Sequence, residues 1–413
     1  MRPQFHFTPR SGWINDPHGI TFHGGRYHTF FQYVPDSDEW RPNCHWGHAV
    51  GEDLFTLEER AVALAPGDGD DGIWTGSVHL PDADDPLSAR AYYTSVSVPD
   101  FAIGRVRVAR PLDEDWTDWE KGDTVLAGPP ESIGARAFRD PFLVTGERRA
   151  LVGAALEDGV AAAVAFAIDD DSDWAPAGIA ASRPSSDRDG VWMGAMWECP
   201  QLVRVSPDRD VLLTSVWDDD VLHYAGYGVG EWNGETFAAD FWRRLSYGPS
   251  YYAPSTFVDD AGRAAVIFWM REIQAPDRSW TGAHSIPYLI DPTAEGISLR
   301  PHPDLRKYRV FSASGWVEGS SAEIEWAPRT DGSLRLDIGT PLEVSRRPEG
   351  VVVAYGDESW TLPPSAGLIS VIVDAMVVEV IAETGILGFP VDSVSHVRLR
   401  SGDGTRVWRL RRS

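Results

Sequence analysis

Cysteine is nearly absent, with Cys44 and Cys199 alone in 413 residues. That excludes a disulfide framework and a four-thiolate zinc site. Long apolar runs are missing too. No stretch of about 18 apolar residues occurs, and the opening MRPQFHFTPR has no apolar centre of a signal peptide. On this reading the protein is expected to be cytoplasmic, or secreted if a leader has been removed, with no membrane partner. Positive charge is in deficit: 37 Lys and Arg stand against 62 Asp and Glu, a formal net charge of -25. Such a balance repels phosphate backbones, which excludes nucleic acid as a partner. Quaternary state has no signature in the chain.

Amphipathic helices are scarce as well. The apolar segments are short, alternating or β-branched, and bounded by Gly, Pro, Asp and Asn, as in RYHTFFQYV, RALVGAAL, DVLLTSVW and AAVIFWM. An all-β chain is expected. What is plentiful is tryptophan, at 18, and glycine, at 39, a pairing that fits β-hairpins and surfaces that stack on sugar rings.

A weak repeat sharpens the class. A polar or acidic residue, usually beside a proline, opens a strand that turns and returns: NDPHGITFHGGRYHTFFQY, TGSVHLPDADDPLSARAYYTSV, RDPFLVTGERRALVGAA, ECPQLVRVSPDRDVLLTSVW and YAPSTFVDDAGRAAVIFWM. The openings fall at Asp16, Ser77, Asp140, Glu198 and Ala253, roughly 60 residues apart, enough for one four-stranded blade with its loops. Five repeats predict a five-bladed β-propeller over residues 1–302. From residue 308 to 413 the strands are separated by hairpin-like turns and no acid marks an opening, which predicts a C-terminal antiparallel β-sandwich, too short for a second propeller. The segment IDDDSDWAPAGIAASRPSSDRDG reads as a solvated acidic excursion; it lacks the Gly and terminal Glu of a calcium loop.

If each opening is the innermost strand of its blade, Asp16, Asp140 and Glu198 face one end of a central channel. The competing view is that Asp-Pro and Glu-Cys-Pro are strand-start punctuation; three acids in phase with the repeat weigh against it. Two carboxyl groups flanking a bond are the minimum for glycoside cleavage, one as nucleophile or base and one as acid. A third would hold sugar hydroxyls and stabilise positive charge at the anomeric carbon. Trp13, Trp40, Trp46, Trp74 and Trp197 lie near these openings, as pocket walls or as core. Cys44, His45, His48 and Cys199 read as packing around the channel in preference to a metal site.

These motifs resemble glycoside hydrolase family 32, the invertase, levanase and inulinase group. WINDPHG at Trp13–Gly19 is similar to that family's WMNDPNG signature, FRDP at Phe138–Pro141 to its RDP element, and WECP at Trp197–Pro200 to its acid/base element. FFQYVP with Gln32, HWGHA, WTGS, YYAPSTF, SWTGAHSIP and ISVIVDAMVVEVIAETG extend the likeness over essentially the whole chain. The resemblance implies a propeller plus sandwich and a retaining, exo-acting β-fructofuranosidase acting on sucrose or short fructo-oligosaccharides. It implies Asp16 as nucleophile, Glu198 as acid/base and Asp140 as stabiliser of the transition state. Asn15, Gln32, Trp40, Trp74, Ser77 and Arg139 would line the fructose subsite, with no cofactor and no metal. His18 stands where the signature usually has Asn; it is expected either to face solvent in a turn or, facing the pocket, to alter the leaving-group subsite or add a charge titrating near neutral pH. Trp74, Thr75 and Ser250 also depart from the pattern and bear on the aglycone. The alternatives are a fructosyltransferase, a non-catalytic carbohydrate-binding propeller, and an inverting arabinan- or xylan-acting propeller, whose carboxyls would stand roughly 6.5–9.5 Å apart in place of ~5–5.5 Å.

Overall fold

Proline decides where the strands of this chain bend. A computed structural model describes residues 1–80, 85–168, 173–328 and 331–412, nearly all of it in strands and the turns between them. Five strands open successive antiparallel series: Gly12–His23, Gly72–His79, Ala135–Leu143, Met196–Ser206 and Tyr251–Val258. They carry the five residues picked out by the repeat. In each, the ladder slips register near its middle: between Ile14 and Pro17, Trp74 and Gly76, Arg139 and Phe142, Glu198 and Gln201, and Tyr252 and Ser255. Pro17, Pro141, Pro200 and Pro254 sit in four of these slips. Proline has no N–H for the ladder, and a bulge bends the strand and re-aims its side chains. Asp140, Cys199 and Ala253, each preceding one of these prolines, take φ values of 66°, 50° and 45°, strained for residues with a Cβ.

Three of the series are four-stranded sheets, over residues 72–127, 135–184 and 196–244. The other two share a nine-stranded sheet, because Gly12 and Trp13 pair in parallel with Trp280 and Thr281. Neighbouring sheets pack closely. Gly153, opposite Arg139, sits where a Cβ would come 2.4 Å from the Trp197 carbonyl oxygen of the next sheet. The sheet over residues 135–184 is lined with alanine and valine at strands Arg149–Leu156 and Val160–Ile168, small enough to be buried between layers. The acidic segment after Ile168 departs from expectation: Trp174–Pro184 is the fourth strand of this sheet, registered from Val160↔Pro184 to Ile168↔Trp174. Pairing with a neighbouring edge supplied the order that the local pattern lacked. Trp174 is buried against Tyr92 and Phe166; residues 169–172 lie outside the described residues.

After the 3₁₀ turn Pro303–Tyr308, six antiparallel strands of a seven-stranded sheet face a six-stranded antiparallel one. Their inner faces form one core, with Ile324, Val371, Val380 and Val407 meeting Leu334, Val344, Val353 and Val397. A second core joins Phe268, Met270 and Tyr288 to Ile372, Val377 and Ile386, so the two parts of the chain share buried surface. Ser246 and Tyr247 add a parallel pair with Ile386 and Leu387. His6 lies between Asp374, 2.9 Å from Nδ1, and Glu379, 3.1 Å from Nε2, all fully buried. Burial alone would depress the His6 pKa, but the two acids outweigh it and raise it to about 9. No helix among the described residues is long and apolar enough to cross a membrane.

Candidate active site

Asp16, Asp140 and Glu198 come from three different sheets and meet around one cysteine. Cys199 Sγ lies 3.6 Å from Asp16 Oδ2 and 3.7 Å from Asp140 Oδ2, and the Cys199 backbone N–H donates to Asp140 Oδ2 at 3.0 Å. Glu198 precedes it in the chain. The strained Cys199 backbone thus gives its N–H to one acid while its side chain touches two.

The two oxygens of Asp16 are unequally held. Oδ2 accepts from Thr75 Oγ1 at 2.7 Å, from Gln32 Nε2 at 3.1 Å and from the cysteine; Oδ1 accepts, among the described residues, from Asn15 Nδ2 alone, at 3.1 Å. Asn15 is itself set by the Trp13 indole N–H, 3.1 Å from its Oδ1. Burial raises the Asp16 pKa, the Thr75 hydrogen bond opposes it, and the charge of Glu198 adds to the rise. Asp140 donates its backbone N–H to Thr94 Oγ1 at 2.9 Å. Its pKa is raised by burial and by the charges of Glu198 and Asp16, against the pull of Arg139. Glu198 is gripped from two sides: Arg139 donates from Nε and Nη2 to Oε1 at 3.0 and 2.8 Å, and the Tyr252 hydroxyl donates to Oε2 at 2.5 Å. Burial works against the Arg139 charge, but Glu198 and Asp140 more than offset it.

The aromatic residues expected at the sugar subsite divide by exposure. Trp40 is 40% exposed, edge-on to Trp74 with ring centroids 5.7 Å apart, and the Arg139 guanidinium lies over the Trp74 ring at 5.7 Å. Trp74 donates its indole N–H to the Pro42 carbonyl at 2.8 Å. Trp46 and Trp197 are core residues with no exposed surface. Ser77 is buried and donates to the Pro141 carbonyl at 3.0 Å, bracing the bulge that carries Asp140.

His18 contradicts both expectations made for it. It is neither in a solvent-facing turn nor a charge near neutral pH: it lies mid-strand, 0% exposed, against Trp46 at 4.3 Å, and burial pushes its pKa down to about 3. Thr75, Thr94, Cys199 and Tyr252 hold the acids and were not assigned those roles from the sequence. Tyr252 had a usable signal, since it stands one residue before the fifth opening. Thr94 had none; it reaches Asp140 from the second strand of another sheet. Among the described residues, no group of three or more His, Cys, Asp or Glu is arranged to hold a metal ion. A cavity of about 850 Å³ lies elsewhere, where Tyr227, Trp242 and Tyr247 face Pro363 and Thr384, and holds none of the three acids.

Comparison with known proteins bears on this arrangement. The profile of the Glycosyl hydrolases family 32 N-terminal domain matches residues 6–303. A sucrose-6-phosphate hydrolase of Zymomonas mobilis is 30% identical over 345 residues, covering 76% of this chain and 64% of the relative. A raffinose invertase of Escherichia coli is 30% identical over 326 residues, covering 74% and 66%. The chain therefore spans somewhat under two thirds of the length of these relatives. Among solved structures, the Bombyx mori GH32 beta-fructofuranosidase superposes with a TM-score of 0.82 at 23% identity, over 100% of this chain and 94% of that one, a likeness of fold. The profile takes in every strand that carries an acid of the site, and the chain belongs to glycosyl hydrolase family 32.

Proposed function

We propose that this protein is a retaining, exo-acting β-fructofuranosidase, which hydrolyses terminal β-fructosyl linkages of sucrose or short fructo-oligosaccharides through a covalent fructosyl-enzyme. The observation that carries the reading is the meeting of Asp16, Asp140 and Glu198 around Cys199. Asp16 Oδ1, with one hydrogen bond against three on Oδ2, keeps the lone pair for attack on the fructosyl C2. Three donors on Oδ2 favour the carboxylate in a buried setting that would otherwise neutralise it. Glu198 gives its proton to the leaving oxygen from Oε2, the oxygen that Arg139 does not hold and on which Tyr252 can donate or accept. It then takes a proton from the water that opens the fructosyl ester and frees Asp16. Asp140 Oδ1 has no hydrogen-bond partner among the described residues and would accept from fructose hydroxyls. Asn15, Gln32, Trp40, Trp74, Ser77 and Arg139 shape the fructose subsite, directly or through the groups they hold.

The reading includes a five-bladed propeller over residues 1–302 and a sandwich over residues 308–413. Five bulged opening strands, and the pairing of Gly12–Trp13 with Trp280–Thr281, support a closed ring. The test is incubation with sucrose, 1-kestose, inulin and levan, and with sucrose-6-phosphate because one relative is named for it. Free fructose is assayed, and the anomer first released is followed by NMR. Fructose released as the β-anomer, and lost in Asp16→Ala and Glu198→Ala, is expected; no fructose from any substrate, or first release of the α-anomer, overturns the reading. New oligosaccharides in excess of hydrolysis at high sucrose would assign transfer instead.

A further inference from the structure

Two peptide units flank the Asp16 Cα, and each carbonyl accepts a hydrogen bond from a buried histidine. His284 Nε2 lies 3.0 Å from the Asn15 carbonyl oxygen, and His18 Nδ1 lies 3.0 Å from the Asp16 carbonyl oxygen. A carbonyl only accepts, so the proton is on Nε2 of His284 and on Nδ1 of His18. Both rings are essentially without exposed surface, and burial pushes His18 down to about 3 and His284 to about 4. Each is therefore neutral at ordinary pH and has one N–H, spent on a carbonyl. The opposite nitrogens, His18 Nε2 and His284 Nδ1, have no hydrogen-bond partner among the described residues, as unprotonated nitrogens turned to packed surroundings would.

The backbone here needs outside support. Asn15 and Asp16 fall in the register slip between Ile14 and Pro17, and Pro17 brings no N–H to the ladder. The strand Trp280–His284 can approach because residue 282 is glycine; a Cβ there would lie 2.0 Å from the Ile14 carbonyl oxygen. The rings are themselves fixed. Trp46 packs on His18 at 4.3 Å, Phe7 and Phe31 pack on His284 at 5.5 and 5.7 Å, and the His284 backbone N–H donates to the Phe7 carbonyl at 2.9 Å.

We propose that His18 and His284 form a clamp on the backbone of Asp16, two imidazoles of opposite tautomer that fix both flanking peptide planes and thereby the aim of its carboxylate. They are positioning residues; the proposal rests on the assignment of Asp16 as nucleophile, since only then does the aim of its carboxylate govern turnover.

The two sites require opposite replacements. Asn carries its amide nitrogen at the branch position of Nδ1, and Gln at that of Nε2. At position 18, His18→Asn is expected to recover most of the turnover while His18→Gln and His18→Leu lose it. At position 284, His284→Gln recovers it while His284→Asn and His284→Leu do not. The loss is expected in kcat, roughly 10- to 100-fold, with KM changed by less than about threefold. A purely structural role would lower the melting temperature of all these variants and leave kcat per folded molecule alone. Equal effects of Asn and Gln at each position, or unchanged kcat in both Leu variants, overturn the clamp. Nitrogen-15 NMR of the wild-type protein at neutral pH reads the same proposal without turnover: Nδ1–H at His18 and Nε2–H at His284 are expected, and the reverse tautomer at either overturns it. Turnover surviving in Asp16→Ala would instead remove the nucleophile assignment, leaving the tautomers to decide the clamp.

Discussion

Thr75 makes the shortest hydrogen bond to Asp16, at 2.7 Å, and a bond to a carboxylate is worth ~1.5–3 kcal/mol. Thr75→Val keeps the shape and removes the donor. The bond favours the ionised acid, so its loss raises the Asp16 pKa further. The acid limb of the kcat/KM profile is expected to move to higher pH, and the plateau to fall by about tenfold or more; a limb left in place would dissociate Thr75 from the ionisation of Asp16. Tyr252→Phe removes the hydroxyl on Glu198 Oε2 and is expected to lower kcat more than it raises KM, in initial-rate measurements on sucrose. The three acids were legible because their spacing recurs with the repeat. His18 was misread because NDPHG looks like a turn, and burial by Trp46 comes from a strand about thirty residues on. Hydrogen-bond partners such as Thr94 and Cys199 depend on which sheets stand side by side, which local pattern does not carry.

At the scale of the element, the bulge is the recurring device. Each opening strand slips near its middle, and Asp16, Asp140 and the Glu198–Cys199 pair sit at these slips. The prolines announced this in the sequence, although as turn signals; the strands run through them. The fit between sheets is tight enough to test. Gly153→Ala would put a methyl 2.4 Å from the Trp197 carbonyl oxygen. Overpacking of that kind costs typically ~1–3 kcal/mol, and because Trp197 precedes Glu198, both melting temperature and kcat are expected to fall. A melting temperature unchanged with full activity would mean that the two sheets yield freely there. The strand Trp174–Pro184 escaped the sequence reading for a related reason. Its alternation is poor, and its order comes from the edge of Val160–Ile168 and from the burial of Trp174.

For the whole molecule, buried histidines set opposite responses to acid and base. His18 and His48 are pushed down to about 3, and His28 and His284 to about 4, by burial. The unfolded chain binds those protons near the ordinary value of about 6.5, so between pH ~6.5 and ~4 unfolding takes up protons and stability falls with pH. Asp16, Asp140 and Glu323, raised by burial, act in the contrary sense, but His45 and His223, also lowered by burial, bring the histidines to six against these three. His6, raised to about 9, contributes stability that is full below about 6.5 and is lost as pH rises through 9. Urea midpoints are expected to decline on both sides of neutrality, and His6→Gln to flatten the alkaline side only. An alkaline decline that persists in His6→Gln would remove His6 as its cause. The same residue also bears on the order of synthesis. Phe5 and His6 dock on Asp374 and Glu379, and Gly12–Trp13 wait for Trp280–Thr281. Phe5, His6, Gly12 and Trp13 are thus synthesised hundreds of residues before the partners they dock on. Until then the leading strand has an open edge, exposed to pairing with a neighbouring nascent chain.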